Sequence, residues 1–162
     1  MAPNYLLFTL KLATVLGCGL IAGVFFAFSV FVMQALARLK PANGITAMQS
    51  INIAVINPLF MTVFLGTAAA CIFLVVFSLL NWHQAGTSYL LIASLLYLIG
   101  TFGVTIVFNV PLNESLTVVD PNSNDGAKIW ANYLTNWTNW NHVRTTAALV
   151  AAALFAMVLE RM

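Results

Sequence analysis

Four long apolar stretches constrain this chain more than any other feature. They run from about Tyr5 to Ala37, from Pro58 to Leu80, from about Ser88 to Phe108 and from about His142 to Leu159. A helix that crosses a bilayer needs about 20 mostly apolar residues, and each stretch is close to that length or longer. The first exceeds it, so it must tilt or project beyond the lipid. Composition agrees. Of the 162 residues, 62% are hydrophobic and 6% are charged, against about 25% charged in soluble chains. So few charges cannot clothe a soluble globule. A net charge of +2, scattered along the chain, makes no phosphate-binding patch, and no nucleic-acid partner is expected. The start of the chain has elements of a secretory leader, but the apolar run passes through Phe31 without a convincing cleavage site, so it is read as a mature span. The expectation is an all-α, integral-membrane four-helix bundle, one domain over residues 1–162, with short interfacial helices in the first and third connections.

Basic residues flanking the spans set the orientation. Arg38 and Lys40 lie in the first connection, Lys128 and Arg144 in or beside the third, and Arg161 at the C-terminus. The second connection has no Lys or Arg. The first and third connections are therefore expected in the cytoplasm, and the plasma (inner) membrane is the expected location. Gly19, Gly23 and Ala27, and again Gly66 and Ala70, recur at four-residue spacing. Small residues so spaced let helices approach closely in lipid, either within the chain or between copies in a homo-oligomer.

The polar residues gather at the end carrying the first and third connections. A turn at Pro41–Gly44 precedes a helix from Ile45 to about Val55 bearing Gln49, Ser50 and Asn52. Asn57-Pro58 has the pattern of a helix cap followed by proline at the first helical position. Thr101, Thr105 and Asn109 form a stripe that ends before Pro111, where the chain is expected to break. The stripe has two readings, hydroxyls bonded to backbone or the lining of a small polar cavity.

From Gly126 the pattern turns helical, and at about 100° per residue Trp130, Tyr133, Trp137, Trp140, Asn141 and Arg144 share one arc. An aromatic belt at headgroup depth is one explanation of the tryptophans. Arg144 has two candidate partners, Trp140 through a cation–π contact and Glu114 through an ion pair. Histidine titrates near neutrality, and His142 is the one histidine at this end. Cys18 and Cys71 lie in apolar runs and are read as inert. The two histidines fall at opposite ends of the bundle, and no metal site is expected.

Four motifs together resemble the anthrone oxygenase family of small membrane proteins: Gly23-Val-Phe-Phe-Ala-Phe-Ser29, Ile51-Asn52 with Asn57-Pro-Leu-Phe60, Asn109-Val-Pro-Leu-Asn113, and Trp137-Thr-Asn-Trp-Asn-His-Val-Arg-Thr145. The resemblance implies a four-helix membrane bundle. For some relatives it implies oxidation of anthrones to anthraquinones by molecular oxygen without an evident cofactor; fungal relatives are associated with membrane NADPH oxidase complexes. On that resemblance, His142 is the expected general base. Arg144, Asn109 and Asn113 would stabilise the oxyanion. Trp137 and Trp140 would stack on a flat aromatic substrate. Asn52, Asn57 and Asn141 complete the expected binding set. Molecular oxygen is the expected co-substrate, while haem and quinone stay open. The alternative is a non-enzymatic membrane subunit serving a larger redox partner.

Overall fold

The computed structural model describes residues 5–159. Arg161, one of the basic residues beside the spans, lies outside the described residues. The described chain is an all-helical membrane bundle. Helix α1 spans Tyr5–Ala37, α3 spans Pro58–Leu80, α4 spans Thr87–Thr117 and α5 spans Gly126–Leu159; all four are long and apolar enough to cross a membrane. The short helix α2, Pro41–Ala54, joins α1 to α3.

Helix α3, at 23 residues, matches a bilayer core of about 30 Å, whereas the other three exceed it. Asn57 starts α3 as a cap: its Oδ1 accepts from the Phe60 N–H at 3.0 Å, and its Nδ2 donates to the Ala54 carbonyl at 2.9 Å. Gly86, at φ +87°, makes the turn into α4, a conformation that costs glycine nothing. The helix predicted in the third connection joins the fourth span without a break, giving the 34-residue α5.

Pro111 does not break the chain. α4 continues through it to Thr117. The reason lies in the turns before it, where Leu96–Gly103 and Thr105–Asn109 are wound as π-helix. The Val110 N–H there bonds to the Thr105 carbonyl, a register one residue wider than α. Such local widening re-satisfies backbone groups around a proline inside a membrane helix. Helix α1 has a matching π segment at Phe28–Val32.

Two cores result. One fills the bundle toward the second connection, with Cys18, Ile21, Cys71, Leu74, Tyr97 and Phe155 buried together. The other sits beneath α2 and holds Met33, Ile45, Met48, Leu116, Trp130 and Tyr133. Gly44 lets α2 close on it, because a Cβ there would stand 2.8 Å from the Trp130 ring. Gln49 ties α2 to the end of α4 by donating to the Leu116 and Val119 carbonyls at 2.9 and 3.0 Å. Gln49 thus supplies donors where a helix C-terminus runs out of them.

The expected small-residue packing within the chain is corrected. A Cβ at Gly19, Gly23 or Gly66 would meet nothing within 4 Å, because these faces turn away from the bundle. The close approaches fall elsewhere: Gly17 abuts Thr67, and a Cβ on Gly100 would lie 2.6 Å from the Ala147 Cβ.

Candidate functional site

Between the two cores lies a cavity of about 710 Å³, walled by all five helices. Its walls are mostly apolar, with Phe28, Phe60, Phe64 and Phe102 among them. The few polar groups in the lining converge from α2, α4 and α5.

Arg144 is the cation of the site. It is 5% exposed, on the buried face of α5, about four turns and about 22 Å before the end of that helix. Its guanidinium carbon lies 3.8 Å from the centre of the Phe25 ring and 4.8 Å from that of Trp137. Nε donates to Asn141 Oδ1 at 2.8 Å and Nη1 to Thr105 Oγ1 at 3.3 Å. A guanidinium has five N–H groups, and the others meet no protein acceptor among the described residues. No carboxylate pairs with it among those residues either. The expected partners are thereby corrected: Phe25 and Trp137 replace Trp140 as the aromatic contacts, and Glu114 lines the same cavity without forming the ion pair.

An uncompensated buried charge costs several kcal/mol, and a desolvated cation–π contact returns about 2 kcal/mol. Two such contacts and two hydrogen bonds offset part of that cost. They leave positive charge and unused donors facing an apolar space, the arrangement that an anionic or strongly hydrogen-bond-accepting ligand completes.

Asn113 stands in the same lining. Its Oδ1 accepts from Trp137 Nε1 at 2.7 Å and from the Tyr133 hydroxyl at 2.8 Å. An indole N–H only donates, so the facing atom must be the amide oxygen. The amide nitrogen of Asn113 is thereby turned away from both rings and has no protein acceptor among the described residues. Asn52 also lines the cavity, and its amide nitrogen is without an acceptor.

Asn141 holds Arg144 from behind. Its Nδ2 donates to the Phe25 carbonyl and to Ser29 Oγ, both at 2.7 Å, while its Oδ1 receives Arg144 Nε. Phe25 lies one turn before the π segment of α1 at Phe28–Val32, and Ser29 lies within it. The threonine stripe faces α5: Thr101 Oγ1 donates to the Arg144 carbonyl at 3.2 Å, and Asn109 Nδ2 to the Trp137 carbonyl at 3.1 Å. Thr101 and Asn109 thus clamp helices together, and Thr105 alone of the stripe lines the cavity.

The structure therefore unites Asn52, Asn113, Trp137 and Arg144 in one cavity, with Asn141 as the support of Arg144. It separates the rest. Asn109 is fully buried beside the cavity. Asn57 is an exposed helix cap. Trp140 stacks on Phe108 at 3.6 Å between ring centres and stays outside the lining. His142 is exposed and borders a separate groove with Ser29, Gln34 and Thr138. Residues two apart on a helix do not face each other, so His142 and Arg144 point to different places.

Trp130 and Trp137 are each 3% exposed, so they serve as interior packing in place of the expected belt. Sequence reasoning passed over Phe25 and gave Glu114 only the part of an Arg144 partner. The Phe25 signal was present in the Gly23–Ser29 motif. Among the described residues no three His, Cys, Asp or Glu side chains gather as metal ligands.

The sequence profile of the anthrone oxygenase family matches residues 60–154, more than half of the chain. The match contains Asn113, Trp137, Asn141 and Arg144 and excludes Phe25 and Asn52. Comparison with curated proteins and with solved structures finds no match.

Proposed function

The chain belongs to the anthrone oxygenase family, and on that premise we propose that its cavity binds a flat, lipophilic carbon acid of the anthrone type as its conjugate base and lets molecular oxygen oxidise it. The observation that carries this reading is the unpaired Arg144 guanidinium between two aromatic rings inside an apolar cavity.

An anthrone has an acidic CH2 group opposite a carbonyl. Loss of one proton leaves an aromatic oxyanion. The free N–H groups of Arg144 and the amide nitrogen of Asn113 are fixed donors for that oxygen, and preorganised donors of this kind are worth roughly 10²–10³ in rate. Trp137, held by Asn113, offers a ring face to the aromatic body. Glu114 is the one carboxylate in the lining and is the proton acceptor in this scheme, taking the place first given to His142. The anion then passes an electron to oxygen. Recombination of radical and superoxide gives a peroxide anion at the former CH2 carbon, which takes the proton back from Glu114 to become a hydroperoxide. Loss of water from it gives the quinone, so one anthrone and one O2 become one anthraquinone and one H2O. The basic residues of the first and third connections favour a cytoplasmic position for this end of the bundle.

Oxygen uptake by the detergent-purified protein with an anthrone, set against a no-protein control, tests the proposal. Arg144→Gln is expected to lower the protein-dependent rate by roughly 10²–10³ with helical content unchanged. Uptake equal in the variant and the native chain contradicts the role of Arg144. No uptake above the control contradicts the reaction.

A further inference from the structure

We propose that the cavity is loaded sideways from the bilayer, through a gap between the first turns of α3 and the last turns of α4, and that a phospholipid acyl chain reaches into it until a lipid-dissolved substrate displaces it.

Helix α3 packs on α4 from Thr87 to Gly103, and past that point the two helices separate. The parting begins where α4 is wound as π-helix, which bends a helix and re-aims its side chains. Leu65 on α3 and Ile106 and Val110 on α4 border this gap. They are 47%, 49% and 37% exposed, yet they line the same cavity as Arg144. Surface side chains and cavity wall are thus continuous, with no layer of protein between.

Depth places this opening in hydrocarbon. Leu65 lies about two turns, or about 10 Å, inside the start of α3, and α3 just matches the thickness of the bilayer core. The polar residues of the opening, Glu114 and Thr117, sit farther along α4 toward the headgroups. Helix α2 roofs the cavity on the aqueous side with Met48 and Asn52. Ile53 and Ile56, 73% and 72% exposed, continue the apolar rim into the membrane. An opening rimmed by apolar side chains at that depth meets acyl chains first, and an apolar void gains contacts when a chain fills it. Water has no comparable claim on such a wall.

Trp137 reports on the cavity, because it lines it and is 3% exposed. The probe is phosphatidylcholine brominated in the middle of its acyl chains, which quenches an indole on contact. The full-length protein, with Trp82, Trp130 and Trp140 changed to Phe, is placed in vesicles of this lipid. A chain whose single tryptophan is Ile72→Trp, at a lipid-facing position 57% exposed, is the full-contact reference.

Trp137 emission is expected to be quenched to an extent approaching that reference. Ile106→Phe with Val110→Phe, which narrows the gap, is expected at least to halve the effect. Where the multiple variants do not assemble, the difference in quenching between the native chain and Trp137→Phe isolates the same residue, and Val110→Phe alone serves as the narrowing variant. Trp137 unquenched beside a quenched reference overturns the proposal, and so does quenching that the narrowing variants leave unchanged. No substrate takes part, so this result is separate from whether the protein oxidises anthrones.

Discussion

The two halves of this bundle are built from the same four helices and solve the lipid problem differently. Toward the second connection, Cys18, Cys71, Leu74, Tyr97 and Phe155 close the interior completely, each at 0% exposed. Polar atoms there bond mainly within their own helix, as Thr14 does to the Leu10 carbonyl and Ser94 to that of Leu90. The Tyr97 hydroxyl, donating to the Phe64 carbonyl at 3.1 Å, crosses between helices. Toward the first and third connections the crossings multiply. Asn141, Asn109, Thr101 and Gln49 each donate to a carbonyl on another helix, two helices widen into π turns, and a cavity of about 710 Å³ remains. In lipid, apolar side chains gain little by leaving the solvent, so packing and hydrogen bonds set the contacts. Where side-chain shape does the work the interior closes, and where polar side chains bridge backbones a space with directed donors is left.

The two halves should part most clearly at Phe155. Phe155→Ala removes a fully buried ring from the closed half and is expected to cost about 3–5 kcal/mol of stability, read by thermal unfolding in detergent. The rate per folded molecule should not change. A matching fall in that rate contradicts the separation of the halves.

A smaller effect is expected at Asn113. Asn113→Ala leaves the Trp137 indole and the Tyr133 hydroxyl without their acceptor, a loss of about 1–3 kcal/mol. Here the expected signature is weakened ligand binding together with a changed Trp137 emission. Stability lost with binding retained would assign Asn113 to the scaffold alone.

The smallest effect is expected at His142. His142→Ala lies outside the cavity on an exposed position, and its stability should move by no more than about 0.5 kcal/mol, with oxygen uptake at the native level. A large loss of uptake would restore it as the base and displace Glu114.

Much of the fold was legible because long apolar runs with few charges have few outcomes. The Asn57-Pro58 cap was legible because capping is local, set by residues three apart. The helical arc from Trp130 to Arg144 was readable from periodicity, and the buried face of α5 follows it at Trp130, Tyr133, Trp137, Asn141 and Arg144. What the sequence hid depends on partners far along the chain. The contact of Phe25 with Arg144 and the orientation of Asn113 by Trp137 arise only when helices meet. Pro111 misled because its local rule assumes an α register, and the π winding before it removes that assumption. The outward-facing Gly19 and Gly23 misled because spacing gives a shared face without saying what the face meets. His142 drew attention as the one histidine at this end, a choice by residue type that takes no account of the helix face, which points it away from Arg144.

Whether Arg144 holds the conjugate base of a carbon acid is read by an anaerobic titration. With oxygen excluded, an anthrone is added to the protein at a pH where the free compound is neutral, and the absorbance of its anion is followed. The anion band is expected to appear with the native chain in proportion to occupied sites and to be lost in Arg144→Gln. A bound but neutral anthrone, or an anion band of equal strength in both proteins, would contradict it.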